Sequence, residues 1–240
     1  MRIEARMPHR RDVLTLGAAA TLAGLTLTGA ASMSAAAAPL PTLQTRLFNF
    51  KDDVSAEAVA DTISKLRAFH ALSGVEGVLV GRNLIPTPFP TRFEWIYMLQ
   101  CARPDAYRAF QSAADLLTSM CRNQVECDLA TPLPARFADA PGVGVRHTVM
   151  FDFKPGASAE DRARNVAAIR TMGTLPMVGH YVVERTAAYG SDPTQMEWQV
   201  IGDFATVDDY HAYSNAPVHL AIRDDFTAHT SRVAFLDVAL

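Results

Sequence analysis

Three side chains in the second half of the chain are of the types that acid–base chemistry uses: His147, Tyr213 and His219. After Pro217, His219, Ile222, Phe226 and His229 recur on one helical stripe, which turns His219 toward an apolar face. An imidazole titrates near about 6.5, and burial lowers that value, so His219 is expected to be a neutral general base. Tyr213 can donate a phenolic hydrogen bond to an enolate or phenolate oxygen, or orient the imidazole. His147 shares a strand face with Val149 and Phe151 and reads as a polar group in an otherwise apolar substrate pocket. Such a set suits proton abstraction beside a carbonyl, as in an intramolecular aldol closure of an apolar carbonyl compound. The same residues also fit two plainer readings. One is a pocket that holds a hydrophobic small molecule without turning it over. The other is a barrel filled by its own side chains, with Tyr210 and Tyr213 as core aromatics.

The elements that must position these residues are legible in the spacing. His147, Val149, Phe151 and Phe153 alternate along a strand. Ser158 then precedes Glu160 and Asp161 in a helix-capping pattern, and Ala163, Val166, Ile169 and Met172 follow at helical spacing. Pro176 marks the end of that helix, and Val178 to Arg185 is rich in strand formers. A Gly-Ser-Asp-Pro turn leads into a strand from Met196 to Phe204. A short helix spans Asp208 to Tyr213, Pro217 suits the first turn of another, and Val233 to Val238 closes the set. This β-α-β-β-α-β order is ferredoxin-like.

The same module is written twice. Phe48-Asn49-Phe50-Lys51 recurs as Phe151-Asp152-Phe153-Lys154, Ser55-Ala56-Glu57 as Ser158-Ala159-Glu160, and Glu94-Trp95 as Glu197-Trp198. Arg67 matches Arg170 and Tyr107 matches Tyr210, each pair 103 residues apart. A constant offset over so many matches is the mark of duplication. The first module is expected over 44–131, a Pro- and Ala-rich linker over 132–144, and the second module over 145–240. At the same offset Gln44, Phe110 and Leu116 stand opposite His147, Tyr213 and His219. The first module therefore reads as degenerate, and any chemistry belongs to the second.

Residues 1–38 read as an export signal. Four arginines precede an uncharged run from Val13 to Ala31, which ends in the alanines 35–38. The pair Arg10-Arg11 with Leu14 points to the twin-arginine route, so the translocase is a partner during export and the mature protein is expected to be periplasmic or secreted. Without that segment the chain has 18 basic and 23 acidic residues and no basic stripe, which argues against nucleic acid as a partner. Cys101, Cys121 and Cys127 are too few for a disulfide framework, although Cys121 and Cys127 could close a small loop. No cysteine or histidine spacing suggests a metal site.

The strand beginning at His147, the Ser-Ala-Glu helix start and Tyr213-Ser-Asn-Ala-Pro-Val-His219 resemble the stress-responsive A/B barrel family, a branch of the dimeric α+β barrels. The resemblance covers all of the second module and, more faintly, the first. It implies an α+β fold in which two ferredoxin-like modules pack sheet to sheet, here as a barrel closed within one chain. Such a chain would be a monomer with an internal pseudo-dimer, or a homodimer. An enzymatic member of that family, a plant polyketide cyclase, uses a tyrosine and a histidine at positions that fall on Tyr213 and His219, and a first-strand histidine that falls on His147. One of its histidines falls on Trp198 here, a departure. No motif resembles the haem-binding members, and no cofactor is expected.

Overall fold

A computed structural model describes residues 42–84, 93–103, 106, 117–133, 144–187, 190 and 192–240. Residues 1–38, expected to be an export signal, most of the linker, and Tyr107, Phe110 and Leu116 lie outside the described residues.

The first module comprises β1 (Leu43–Phe50), α1 (Ala56–Ala68), β2 (Val75–Arg82), β3 (Trp95–Cys101) and β4 (Cys121–Leu129). The second comprises β5 (Val145–Phe153), α2 (Ala159–Thr171), β6 (His180–Arg185), β7 (Trp198–Phe204), α3 (Val207–Ser214), α4 (Pro217–His229) and β8 (Thr230–Ala239). Local chemistry sets the helix starts. Ser55 and Ser158 each accept a backbone N–H three residues on, and Thr206 with Asp209 forms a reciprocal capping box. Pro217 occupies the first turn of α4, where its missing N–H costs nothing. Helix α2 stops at Thr171, ahead of Pro176, and a 3₁₀ turn over Met172–Thr174 bridges the difference.

Each module forms a four-stranded antiparallel sheet, ordered β2-β3-β1-β4 and β6-β7-β5-β8. The two sheets face each other across an apolar layer that includes Leu47, Ile96, Met98, Met150, Ile201 and Leu236. Alternation sends the other residues of each strand to the helices, where Phe48, Leu66 and Leu99 form one core and Phe151, Ile169 and Phe204 another. Burying such a side chain contributes on the order of 2 kcal/mol, so three apolar layers account for how two short modules hold together.

Both sheet edges are closed within the chain. Asn83, at the end of β2, bridges antiparallel to Val238 of β8, and Leu84 N–H donates to the Asp237 carbonyl at 2.7 Å. On the opposite side Ala187 N–H donates to the Asp128 carbonyl at 2.7 Å, and Glu126 pairs with Gln195. The first seam needs a glycine: a Cβ at Gly81 would collide with the side chain of Val238. The result is the closed intrachain α+β barrel, a form that removes exposed sheet edges.

The offset of 103 holds through β3 and β7, but it does not reach the last strands. Leu47 lies opposite Val125 while Met150 lies opposite Ala234, so β4 and β8 correspond at an offset of 109. The extra six residues fall between β7 and β8 relative to the first module. The cysteine loop is not formed either. Cys121 and Cys127 lie on one extended strand, roughly 20 Å apart at the rise of a β-strand, and all three cysteines are buried free thiols.

Candidate functional site

The second sheet carries a row of four residues across its width. Tyr181 of β6 pairs with Gly202 of β7, Gly202 with His147 of β5, and His147 with Asp237 of β8. Neighbours of Gly202 at every second position, Val200 and Phe204, belong to the core under the helices, so this row faces the helices and not the barrel interior. Gly202 leaves that face bare between Tyr181 and His147. A Cβ there would lie 3.2–3.4 Å from the Tyr181 and Phe204 rings. Gly173 plays the matching part from the turn after α2, where a Cβ would press on Tyr181 at about 2.9 Å.

Asp237 is wholly buried and binds two partners through its two oxygens. His147 Nδ1 lies 2.6 Å from Oδ1, and the Tyr210 hydroxyl donates to Oδ2 at 2.9 Å. A carboxylate at that distance fixes the tautomer: Nδ1 carries the hydrogen and Nε2 presents its lone pair. Burial and the Asp237 charge push the Tyr210 hydroxyl well above the ordinary phenol range, so it remains a donor. The buried charge is satisfied by hydrogen bonds on both oxygens, as a buried carboxylate requires.

Tyr213 and His219 approach from the helical layer. The Tyr213 ring lies 4.7 Å from the His219 ring and 6.1 Å from the His147 ring, centroid to centroid. Its hydroxyl meets that of Tyr181 at 3.2 Å and the Met172 sulfur at 3.7 Å. Burial pushes the Tyr213 phenol up to about 12, and burial likewise raises Tyr181, so both keep their protons at neutral pH. His219 Nδ1 lies 3.0 Å from the Ser214 carbonyl, which makes it the donor and leaves Nε2 as an acceptor. Burial, with the nearby His147 as a smaller cause, lowers the His219 pKa to about 4.

All three residues singled out from the sequence thus converge on one side of the second sheet. Tyr213 and His219 touch through their rings, while their polar atoms bond elsewhere: Tyr213 to Tyr181, and His219 to the backbone of Ser214. The group is densely packed, with Tyr213 at 1% exposure and His147 at 7%, and half-buried His219 is its outermost member. The geometry adds Asp237, Tyr210, Tyr181 and Gly202. A signal for Asp237 was present, since it is the one charged residue in the apolar run Val233 to Val238. A groove of about 380 Å³ lies elsewhere, between α1 and Trp95, with Arg67 as its only charged lining residue and no acid–base pair. Among the described residues no three His, Cys, Asp or Glu side chains gather as metal ligands.

The two closed four-stranded sheets and their helices define an α+β barrel of paired ferredoxin-like modules. Residues 145–240, the second of these modules, match the model of the stress responsive A/B barrel domain. Over nearly the whole chain the fold is shared with an anthrone oxidase-like protein, at 10% identity, 82% coverage of this chain, 90% of the other and a TM-score of 0.54. Single-module structures also align. One is a Dabb family protein with a ferredoxin-like fold from Mesorhizobium loti, at 24% identity over 40% of this chain and 94% of that one, TM-score 0.34. Another is a dimeric ferredoxin-like protein of unknown function from Thermobifida fusca, at 18% identity over 41% and 92%, TM-score 0.37. No curated protein matches the chain.

Proposed function

We propose that the second module is a cofactor-independent acid–base site for an apolar carbonyl compound, acting as a lyase or cyclase. One observation carries this reading: the first module builds the same sheet without the imidazole, the glycine or the phenol of that row. Its corresponding residues are Val78, Leu99, Gln44 and Asp128. The fold therefore does not require His147, Gly202 and Tyr181 at their positions. A buried charged network is weak support for stability, and replacing one with apolar groups is often neutral. Perturbed titratable groups gathered in one place are more characteristic of function.

The proposed roles follow from the hydrogen bonds. His147 is the base, because Asp237 orients its ring and stabilises the imidazolium that forms when Nε2 takes a proton. Tyr213, held protonated beside Tyr181, donates to the oxygen that becomes negative as the adjacent carbon loses its proton. His219, neutral and weakly basic, accepts a hydrogen bond through Nε2 and so orients the substrate at the outer edge. This moves the base from His219, expected from its helix stripe, to His147. The aromatic surround of Phe204, Tyr181, Tyr210 and Tyr213 supports an apolar, ring-bearing ligand. It also favours the second reading, in which that ligand is held without turnover.

A panel of aryl ketones and poly-keto compounds, followed for proton exchange and for product, tests the proposal. His147→Gln, which installs the residue of the first module, is expected to lower turnover by about 100-fold or more while binding persists. Unchanged turnover removes His147 from the mechanism; binding with no turnover in the wild type selects the second reading. We further propose export by the twin-arginine route, supported by Arg10-Arg11 before the apolar run. Changing both arginines to lysine is expected to retain the precursor inside the cell, and unimpaired export would refute that route.

A further inference from the structure

We infer that the first module positions the site of the second: Asn83 and Leu84 hold Asp237 from across the barrel seam. This rests on the reading of His147 and Asp237 as the acid–base pair. The carboxylate of Asp237 is engaged by His147 and Tyr210, and its backbone is engaged separately by the other module. Leu84 N–H donates to the Asp237 carbonyl at 2.7 Å, and Asp237 N–H donates to Asn83 Oδ1 at 3.3 Å. Gly81 admits Val238, the next residue of β8, where any Cβ would collide. Asp237 is thus gripped on its main chain and its side chain at once: β5 pairs with its strand, and its own N–H and C=O are engaged by residues of the first module. A shift of the strand on the order of 1 Å would open the 2.6 Å contact to His147 and release the ring tautomer.

The opposite seam supplies an internal control. There Ala187 N–H donates to the Asp128 carbonyl at 2.7 Å, and Asp128 N–H donates to Thr186 Oγ1 at 3.3 Å. These contacts repeat those of Leu84 and Asn83 with the modules exchanged. Asp128, however, stands opposite Gln44 and serves no histidine. Each seam side chain has a second partner, Asn83 Nδ2 donating to the Phe93 carbonyl and Thr186 Oγ1 to Cys127 Sγ, so each ties its seam twice, but only one seam reaches the site. Asn83 is a positioning residue.

The test reads the ring nitrogen resonances of His147 by NMR in the full mature chain without substrate, with thermal unfolding alongside. Asn83→Ala is expected to move both resonances toward a tautomer average. Asn83→Thr, which borrows the residue used at the other seam, and Thr186→Ala are expected to leave them at wild-type positions. With Asn83→Ala and Thr186→Ala lowering Tm alike, such a result assigns the effect to position and not to loosening. Unmoved resonances in Asn83→Ala, or an equal movement in Thr186→Ala, would overturn the inference. Should Asn83→Ala not fold, the amides of Asp237 and Leu84 in the wild type decide: slow hydrogen exchange supports the grip, and exchange at the rate of a frayed edge refutes it. Because the ring is observed without substrate, a protein that turns nothing over can still pass, and a failure here leaves the reaction of His147 to be judged by turnover.

Discussion

The two modules place the same strands in the same register and fill three of the four places in one row differently. In the second, Tyr181, Gly202, His147 and Asp237 cross the sheet; in the first, Val78, Leu99, Gln44 and Asp128 do. Leu99 is fully buried, whereas Gly202 yields the corresponding space to the Tyr181 and Phe204 rings. The barrel is thus a scaffold that tolerates either filling. Duplication separates two demands that a homodimer must satisfy with one sequence. One copy can set Val78 and Leu99 beside Gln44 and Asp128, while the other can hold a carboxylate with two imidazoles and three phenols.

The largest effect is expected where that contrast is sharpest. His147→Leu leaves the Asp237 carboxylate buried with Tyr210 as its remaining side-chain partner, and it should cost on the order of 3 kcal/mol in denaturant titration. Gln44→Leu in the first module should cost markedly less, since Asp128, which stands opposite Gln44, is only half-buried whereas Asp237 is wholly buried. Comparable losses would mean that the two rows do not differ in kind. Filling the bare position comes next. Gly202→Leu, which copies the first module, should overpack the Tyr181 and Phe204 rings at a cost of about 2 kcal/mol and abolish ligand binding. Undiminished binding would show that the ligand does not use that face.

A smaller effect concerns pH. Burial holds the folded-state pKa of His219 near 4, below its ordinary 6.5, so the unfolded chain binds a proton first as the pH falls. The stability tied to neutral His219 is complete above about 6.5 and declines as the pH drops toward 4. His219→Leu should therefore flatten this part of the stability profile between pH 7 and 4, measured by denaturant midpoint. An identical slope in the variant would show that His219 is not shielded as described.

The architecture was legible in the sequence because both of its signals are local or periodic. Strand alternation, the serine caps and the 103-residue offset need no knowledge of long-range pairing. His147, Tyr213 and His219 were legible as types on identifiable faces, and the fold brings them together. Asp237 was hidden by arithmetic: at an offset of 103 it stands opposite Pro134, whereas the strands pair it with Asp128. Gly202 opposite Leu99 was visible in the alignment of the modules, but a missing side chain acquires meaning only once His147 and Tyr181 are known to flank it. The apparent Cys121–Cys127 loop failed for a related reason, since spacing does not distinguish a turn from an extended strand. The base assignment needed hydrogen-bond partners, and those depend on residues 90 positions apart.

The central claim is that one module alone carries the site. Native mass spectrometry of the mature chain with an aryl ketone panel measures this directly, in the wild type and in Gly202→Leu. One bound molecule per chain is expected, lost in the variant. Two molecules per chain, or one that survives Gly202→Leu, would contradict it.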